Sequence, residues 1–112
     1  MKPRRFGEAL QTIEATAIEY WASLGHLERV AEALAAYPDA NIRGVGGYTA
    51  MHAAAENGHV DVIRFLLDRG ADLSPRLESG ETPLDLARLA GQPAAVELLQ
   101  DLPTKVVEPR SS

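Results

Sequence analysis

The fold is decided by residues 47–74, GYTAMHAAAENGHVDVIRFLLDRGADLS, in which a glycine separates two short helical patterns. The alanine-rich run 50–57 stops at Gly58, and the apolar residues of 60–69 recur at steps of three and four before Gly70. Glycine just after such a run favours the left-handed conformation that ends a helix. Each helix has only about two or three turns, which is too short for stability alone in water. The stretch therefore predicts two helices that pack together.

The pattern recurs with a period of 33 residues. Glycine, threonine and apolar residues occupy equivalent positions in successive copies: Gly25, Gly58, Gly91; Thr16, Thr49, Thr82; Ile18, Met51, Leu84; Val30, Ile63, Val96; Ala33, Leu66, Leu99. Self-similarity of this length is typical of a stacked array, in which each repeat buries its apolar face against its neighbours. Further helical runs, within residues 6–24, 27–36, 83–90 and 94–102, surround the middle copy. The sequence thus predicts a small all-α solenoid of helix pairs.

Composition limits the function classes. The 112 residues are 46% hydrophobic and 24% charged, which is typical of one globular domain. Eleven Lys and Arg against sixteen Asp and Glu leave a net charge of -5, and the only basic cluster is Lys2, Arg4 and Arg5. A nucleic-acid partner is therefore not expected. Cysteine is absent, and no apolar run is long enough to cross a membrane, so we expect a cytoplasmic protein with no membrane partner.

Residues 47–74 resemble the ankyrin repeat, with its T-P-L-H-type start, Gly-His-type turn and Leu-Leu-x-x-Gly-Ala-Asp-type end. The middle copy departs mainly at Ala50, where the family favours proline. The third copy has Asp85 and Gln92 where histidine is usual and Arg88 where a small alanine is usual. In the first copy Glu14 stands where the turn glycine belongs, and Tyr20 and Trp21 replace smaller residues. The resemblance implies ankyrin units at 16–43, 44–76 and 77–102, an N-terminal capping extension at 1–15 and a flexible tail at 103–112.

Local chemistry explains why these residues repeat at this spacing. Each threonine precedes a helical run and can cap it by accepting from the orphan amides of the first turn. Thr16 and Thr82 have an acid three residues on, which favours a capping box, and Pro83 suits the first helical position. In the core, we expect Ile63, Leu66 and Leu67 to be sandwiched between Val30 and Ala33 on one side and Val96, Leu98 and Leu99 on the other.

His52, Glu56 and His59 raise the possibility of a metal or acid/base site, because such spacing on one unbroken helix places them on one face. Gly58 interrupts the helix between Glu56 and His59, so we favour structural roles. The resemblance implies that His52 bonds loop backbone and that His59, like His26, lies in the turn between helices. GVGG lacks the lysine and helix start of a phosphate loop and is better interpreted as part of a finger loop.

The resemblance implies a non-catalytic scaffold, without cofactor or metal, that binds another protein as a monomer. The binding elements would be the finger loops, residues 43–49 and 76–82, which project as β-hairpin-like turns, and a concave surface made by the first helix of each repeat. The positions that carry over are Arg43, Val45, Gly46, Tyr48, Glu56, Asn57, Arg76, Glu78, Ser79, Glu81, Leu89, Ala90, Ser23 and Leu24. Tyr48 is the preferred anchor, as an aromatic side chain expected to be exposed on a finger.

Several alternatives stay open at this point. The chain could instead be a small acidic inhibitor or immunity-type protein that occludes a basic toxin or enzyme, and an enzyme is the least favoured reading. Trp21 could cover the end of the stack or serve as a binding anchor. Arg88 is expected to face solvent on the last repeat. Val106 and Val107 could fold back onto the last helix pair.

Overall fold

A computed structural model describes residues 18–102, which form six α-helices and one short 3-10 turn and contain no β-strand. The elements are α1 (Ile18–Leu24), α2 (Leu27–Ala36), a 3-10 turn (Val45–Gly47), α3 (Ala50–Glu56), α4 (Val60–Asp68), α5 (Pro83–Leu89) and α6 (Pro93–Asp101). The predicted extension at 1–15, Thr16 and the tail at 103–112 lie outside the described residues.

The helices form two layers. Each first helix packs on its own second helix, giving the pairs α1–α2, α3–α4 and α5–α6. The first helices α1, α3 and α5 pack side by side in one layer, and α2, α4 and α6 form the other. This arrangement confirms the predicted all-α solenoid of repeated helix pairs.

The turns between paired helices follow the predicted glycine mechanism. Gly25, Gly58 and Gly91 have φ of 72°, 74° and 70°, the left-handed region that side chains disfavour. After the glycine at 58, the amide of His59 donates to the carbonyl of Ala54 at 2.9 Å, which closes the end of α3. The same bond closes α1 and α5, so each chain reversal has one common geometry.

Threonine caps begin α3 and α5, as predicted. Thr82 Oγ1 accepts from the Asp85 amide at 3.2 Å, while Asp85 Oδ2 accepts from the Thr82 amide at 3.0 Å, with Pro83 at the helix start. The hydrogen bond from the Thr82 amide holds the pKa of Asp85 below its usual range. Thr49 makes the same box with His52, whose ring Nδ1 takes the place of the carboxylate. The sequence did not predict that second box, because histidine is not a usual member of the motif.

The core lies where the layers meet. Val30, Ile63 and Leu66 are fully buried, and Leu99 is nearly so. Leu67, Val96 and Leu98 are half-buried and pack against this cluster, which confirms the predicted sandwich. In the other layer Ala53, Ala54, Ala55 and Ala87 are fully buried. These small side chains let neighbouring first helices approach closely and so fix the spacing of the surface that they present.

Candidate protein-binding surface

The two finger loops are closed by matching backbone hydrogen bonds. The Gly44 amide donates to the Tyr48 carbonyl at 2.7 Å, and one period later the Leu77 amide donates to the Glu81 carbonyl at 2.9 Å. Gly46 has φ of 70° inside the first loop, which excludes an extended strand there. The predicted finger loops are therefore present as tight turns without strands in residues 18–102.

Neighbouring finger loops are joined to each other. The Glu78 amide donates to the Gly46 carbonyl at 2.8 Å, and Arg43 Nη2 donates to the Arg76 carbonyl at 2.7 Å. Arg76 Nη1 donates to the Gly80 carbonyl of its own loop at 2.9 Å. Both arginines were predicted to contact a partner; each is exposed, yet its guanidinium already holds the loop backbone. Their contribution to binding stays a prediction, and their structural role is an additional finding.

Tyr48 is half-buried, so the expectation that its side chain is exposed is wrong, whereas its contact with a partner stays a prediction. Its ring stacks on that of His52, with centroids 5.9 Å apart and an interplanar angle of 19°, and its hydroxyl donates to Glu56 Oε1 at 2.6 Å. Burial and the Glu56 carboxylate raise the pKa of Tyr48 above its usual range. Tyr48 thus joins the finger loop to α3 and positions Glu56 at the surface.

His52 and His59 have the structural roles that were predicted. His52 Nε2 bonds the Glu81 carbonyl in the next finger loop at 3.0 Å, and His59 Nε2 bonds the Ser23 carbonyl at 3.0 Å. Gln92 makes the equivalent bond to the Glu56 carbonyl at 3.0 Å. Burial lowers the pKa of His52, which favours the neutral ring: Nδ1 accepts from Thr49, and Nε2 carries the proton. Among residues 18–102, no three His, Cys, Asp or Glu side chains are placed to hold a metal ion.

The other predicted residues lie on one side of the molecule, on the finger loops and at the ends of first helices. Val45 is 96% exposed and Leu89 75% exposed, and Leu24 is 52% exposed on α1. Glu78, Ser79, Asn57 and Ala90 are exposed, whereas Glu56, Glu81 and Ser23 are half-buried. The hydroxyl of Ser79 donates to Glu81 Oε1, and the Asn57 side chain donates to the Ala53 carbonyl at 2.9 Å. We call this side, made by the finger loops and α1, α3 and α5, the front surface.

Tyr20 also belongs to the front layer and was not among the predicted contacts. It is 55% exposed on α1 and packs edge-on against Trp21, with ring centroids 5.0 Å apart. The sequence could have pointed to Tyr20, because the equivalent residue of the middle repeat is the small, fully buried Ala53. The third repeat has Leu86 there, so the residue at this position differs in every copy and the repeat does not determine it.

The chain belongs to the ankyrin repeat family. A family model described as ankyrin repeats in three copies matches residues 18–108, most of the chain. Ankyrin repeats generally mediate protein–protein interaction. No helix within residues 18–102 is long and apolar enough to span a membrane.

Curated relatives are longer proteins that contain a similar segment. The mouse ankyrin repeat and MYND domain-containing protein 1 is 39% identical over 74 residues, which cover 59% of this chain and 8% of that protein. The NF-kappa-B inhibitor cactus of Drosophila melanogaster is 46% identical over 50 residues, 44% of this chain and 10% of cactus. Serine/threonine-protein kinase 12 of Arabidopsis thaliana is 41% identical over 64 residues, 57% of this chain and 14% of the kinase. The similarity therefore covers only a small part of each relative.

Proposed function

We propose that the chain is a non-catalytic module that binds another protein through its front surface. The observation that carries this proposal is the exposure of Val45, Leu89 and Leu24, three large aliphatic side chains on the side that bears the finger loops. Exposed aliphatic side chains grouped on one surface and bordered by polar groups are typical of protein interfaces. The stack holds this surface in place through bonds such as that between His52 and the Glu81 carbonyl. A rigid surface limits the ordering cost of association.

Within the front surface, the residues proposed to contact the partner are Arg43, Val45, Tyr48, Glu56, Asn57, Arg76, Glu78, Ser79, Glu81 and Leu89. Their roles differ because their surroundings differ. Val45 and Leu89 are the best candidates for apolar contacts, since they are the most exposed large hydrophobic residues of the described chain. Tyr48 would act mainly by orienting Glu56. Arg43 and Arg76 would act mainly by fixing the finger loops.

We also propose that residues 77–102 cap the C-terminal end of the stack. Arg88 occupies the position that is fully buried alanine in the earlier copies, Ala22 and Ala55. Its Nη2 donates to Gln100 Oε1 at 3.2 Å, so a polar pair lies across the end face. Burying a guanidinium beneath another apolar repeat would be costly, which supports the capping role.

Trp21 is proposed to cover the opposite end of the stack. It occupies the position of the fully buried Ala54 and Ala87 in the later copies. The Arg29 guanidinium lies 5.2 Å from the centre of its ring, and the His26 ring packs edge-on at 5.5 Å. These contacts place the indole against α2 and support a covering role over that of a binding anchor.

Site-specific photo-crosslinking tests the proposed function. A benzophenone amino acid placed at Val45 or Leu89 should give a discrete adduct with the partner in extract from the native source. The same group at the exposed Arg64 on α4 is the control, because it lies in the other layer. We expect the adduct at Val45 and Leu89 and not at Arg64. An adduct formed only from position 64 would refute binding through the front surface.

A monomeric state and a cytoplasmic location are proposed together with this function.

A further inference from the structure

The described residues are more acidic than the whole chain. Residues 18–102 contain six arginines, no lysine and thirteen aspartates and glutamates, a formal charge of -7, compared with -5 for all 112 residues. Long-range attraction therefore favours a cationic partner and disfavours phosphate-rich ones. Net charge alone does not select a surface, so the placement of the unpaired carboxylates decides where such a partner binds.

On the front surface, the arginines are bound to neutral groups rather than to carboxylates. Arg43 donates to the Arg76 carbonyl and Arg76 to the Gly80 carbonyl. Arg88, at the end face, likewise donates to a neutral group, the Gln100 side chain. Within residues 18–102, ion pairing is limited to Arg29 and Glu32, 3.3 Å apart on α2 in the other layer. The arginines near the finger loops thus leave the carboxylates beside them available.

Five carboxylates of the front surface have no cation within ion-pair distance among residues 18–102: Glu19, Glu56, Glu78, Glu81 and Asp85. Asp85 already accepts the Thr82 amide in the cap of α5, and Glu19 Oε1 is buried. Glu56, Glu78 and Glu81 are therefore the three that can meet a partner. Glu56 and Glu81 each accept a hydroxyl hydrogen bond, from Tyr48 and Ser79. A neutral hydroxyl orients a carboxylate but does not cancel its charge. Two of the three are thereby held in fixed directions, which lowers the ordering cost of pairing with a cation.

Each of these carboxylates has an apolar residue at the equivalent position of the neighbouring repeat. Val45 is equivalent to Glu78, Tyr48 to Glu81, and Leu89 to Glu56. Glu56 and Leu89 stand on neighbouring helices, and packed helices lie about 8 to 10 Å apart. In the finger loops the Glu78 amide donates to the carbonyl of Gly46, next to Val45, and His52 stacks on Tyr48 while it bonds the Glu81 carbonyl. An acidic and an apolar group are therefore neighbours in each of the three rows. A partner that pairs with the carboxylates and also covers the apolar side chains must carry cationic and aliphatic side chains close together.

We infer that the partner presents a basic segment of protein in which Lys or Arg side chains are interspersed with aliphatic ones, and that Glu56, Glu78 and Glu81 pair with those cations. This inference rests on the proposed function, because it uses the same front surface. The cations would set the association rate and register, and the aliphatic side chains would cover Val45 and Leu89.

Defined peptides test the partner class. Three fluorescently labelled peptides of equal length, made of repeated Lys-Leu-Gly, Lys-Ser-Gly or Glu-Leu-Gly, are titrated with the full chain and followed by fluorescence anisotropy. We expect Lys-Leu-Gly to bind most tightly and Lys-Ser-Gly more weakly, with Glu-Leu-Gly not binding. Equal or tighter binding of Glu-Leu-Gly, equal binding of the two lysine peptides, or no binding of Lys-Leu-Gly would overturn the inference.

Two matched triple variants then locate the site. Glu56→Gln, Glu78→Gln and Glu81→Gln together remove three charges from the front surface while keeping the hydrogen-bond acceptors. The control removes three exposed carboxylates from the other layer by Glu28→Gln, Asp68→Asn and Glu97→Gln. We expect the front variant to bind Lys-Leu-Gly more than about tenfold more weakly and the control less than about twofold. Equal losses would show attraction to net charge alone and refute the assigned site.

Binding of the captured natural partner to the front variant distinguishes a failure of this inference from a failure of the proposed function. If the protein captured through Val45 or Leu89 binds the front variant as tightly as the wild type, the inferred carboxylate pairing is wrong, whereas the proposed front-surface binding stands. If no adduct forms at Val45 or Leu89, the proposed function fails whatever the peptides do. Circular dichroism of both triple variants verifies that each retains the wild-type fold.

Discussion

Replacing Leu66 by alanine tests how strongly the repeats depend on one another. Leu66 is fully buried in α4, which has α2 on one side and α6 on the other. The change removes three carbon atoms from the core, about 2.4 kcal/mol of transfer free energy at roughly 0.8 kcal/mol each. Helices on both sides restrict collapse around the site, so the cavity adds to the loss, and we expect a total of about 3 to 5 kcal/mol. That is a large share of the stability of a small domain, about 5 to 15 kcal/mol.

Urea denaturation with two probes measures this effect. Circular dichroism follows the helices as a whole, whereas the fluorescence of Trp21, the one tryptophan of the chain, follows the first repeat. If the repeats unfold together, Leu66→Ala shifts both midpoints equally, although the change lies in the middle repeat. Leu99→Ala is the matched control: its side chain is 5% exposed in α6, which in residues 18–102 has a second-layer neighbour on one side only. We expect a smaller loss there, about 2 to 3 kcal/mol.

Two results would refute this reasoning. A loss below about 1 kcal/mol for Leu66→Ala would contradict the packing of α4 between its neighbours, because a fully buried leucine would then have no well-packed surroundings. A dichroism midpoint that falls while the Trp21 midpoint stays at its wild-type value would show that the first repeat unfolds independently. In that case the stack would not hold the front surface as one rigid body.

Three further changes test individual interactions. Tyr48→Phe removes the hydrogen bond from the Tyr48 hydroxyl to Glu56 and should lower the free energy of unfolding by about 1 kcal/mol. An unchanged urea midpoint would contradict this expectation. Burial lowers the pKa of His52 in the folded protein, so as the pH falls the histidine is protonated in the unfolded chain before it is protonated in the folded one. The free energy of unfolding should therefore decrease as the pH drops below about 6.5. His52→Gln should lack this pH-dependent decrease. Identical pH profiles of the two proteins would disprove the linkage. Gly91→Ala should lower the free energy of unfolding by about 1 kcal/mol through its φ of 70° alone, because no atom lies within 4 Å of the new Cβ. Gly58→Ala should cost about 1 kcal/mol more, because its Cβ would lie 2.5 Å from Gln92 Oε1. Equal thermal shifts would show that the neighbour moves away freely.

The fold was largely predictable because its determinants repeat. The helix pairs, the left-handed glycines and the buried position of Leu66 all follow from residues that recur every 33 positions. A repeat shows each structural position in more than one copy, so an atypical residue in one copy does not hide the pattern. The starts of α3 and α5 were also predictable, because Pro83 and the threonine caps act through neighbouring backbone only.

The candidate site was less predictable because its contacts do not repeat. Tyr48 and Glu56 are eight residues apart, and the equivalent pairing is absent from the third repeat, which has Glu81 and Leu89 instead. Whether a tyrosine on a loop faces solvent or a nearby carboxylate depends on tertiary placement that spacing does not give. Arg43 and Arg76, in contrast, carried a usable signal: one residue type kept in both finger loops favours a role in the scaffold over recognition of a partner.

Interrupted positions also indicate which surfaces can bind. Position 88 breaks a row of buried alanines, and position 100 breaks a row that holds Leu34 and Leu67, yet the two new side chains bond each other at 3.2 Å. Two changes that compensate locally support the proposal that residues 77–102 cap the stack. Docking there would bury a guanidinium whose only described bond is to a neutral amide, at a cost of several kcal/mol. We therefore expect a partner to bind the side of the stack, where Val45 and Leu89 are exposed and Glu78 has no cation among residues 18–102.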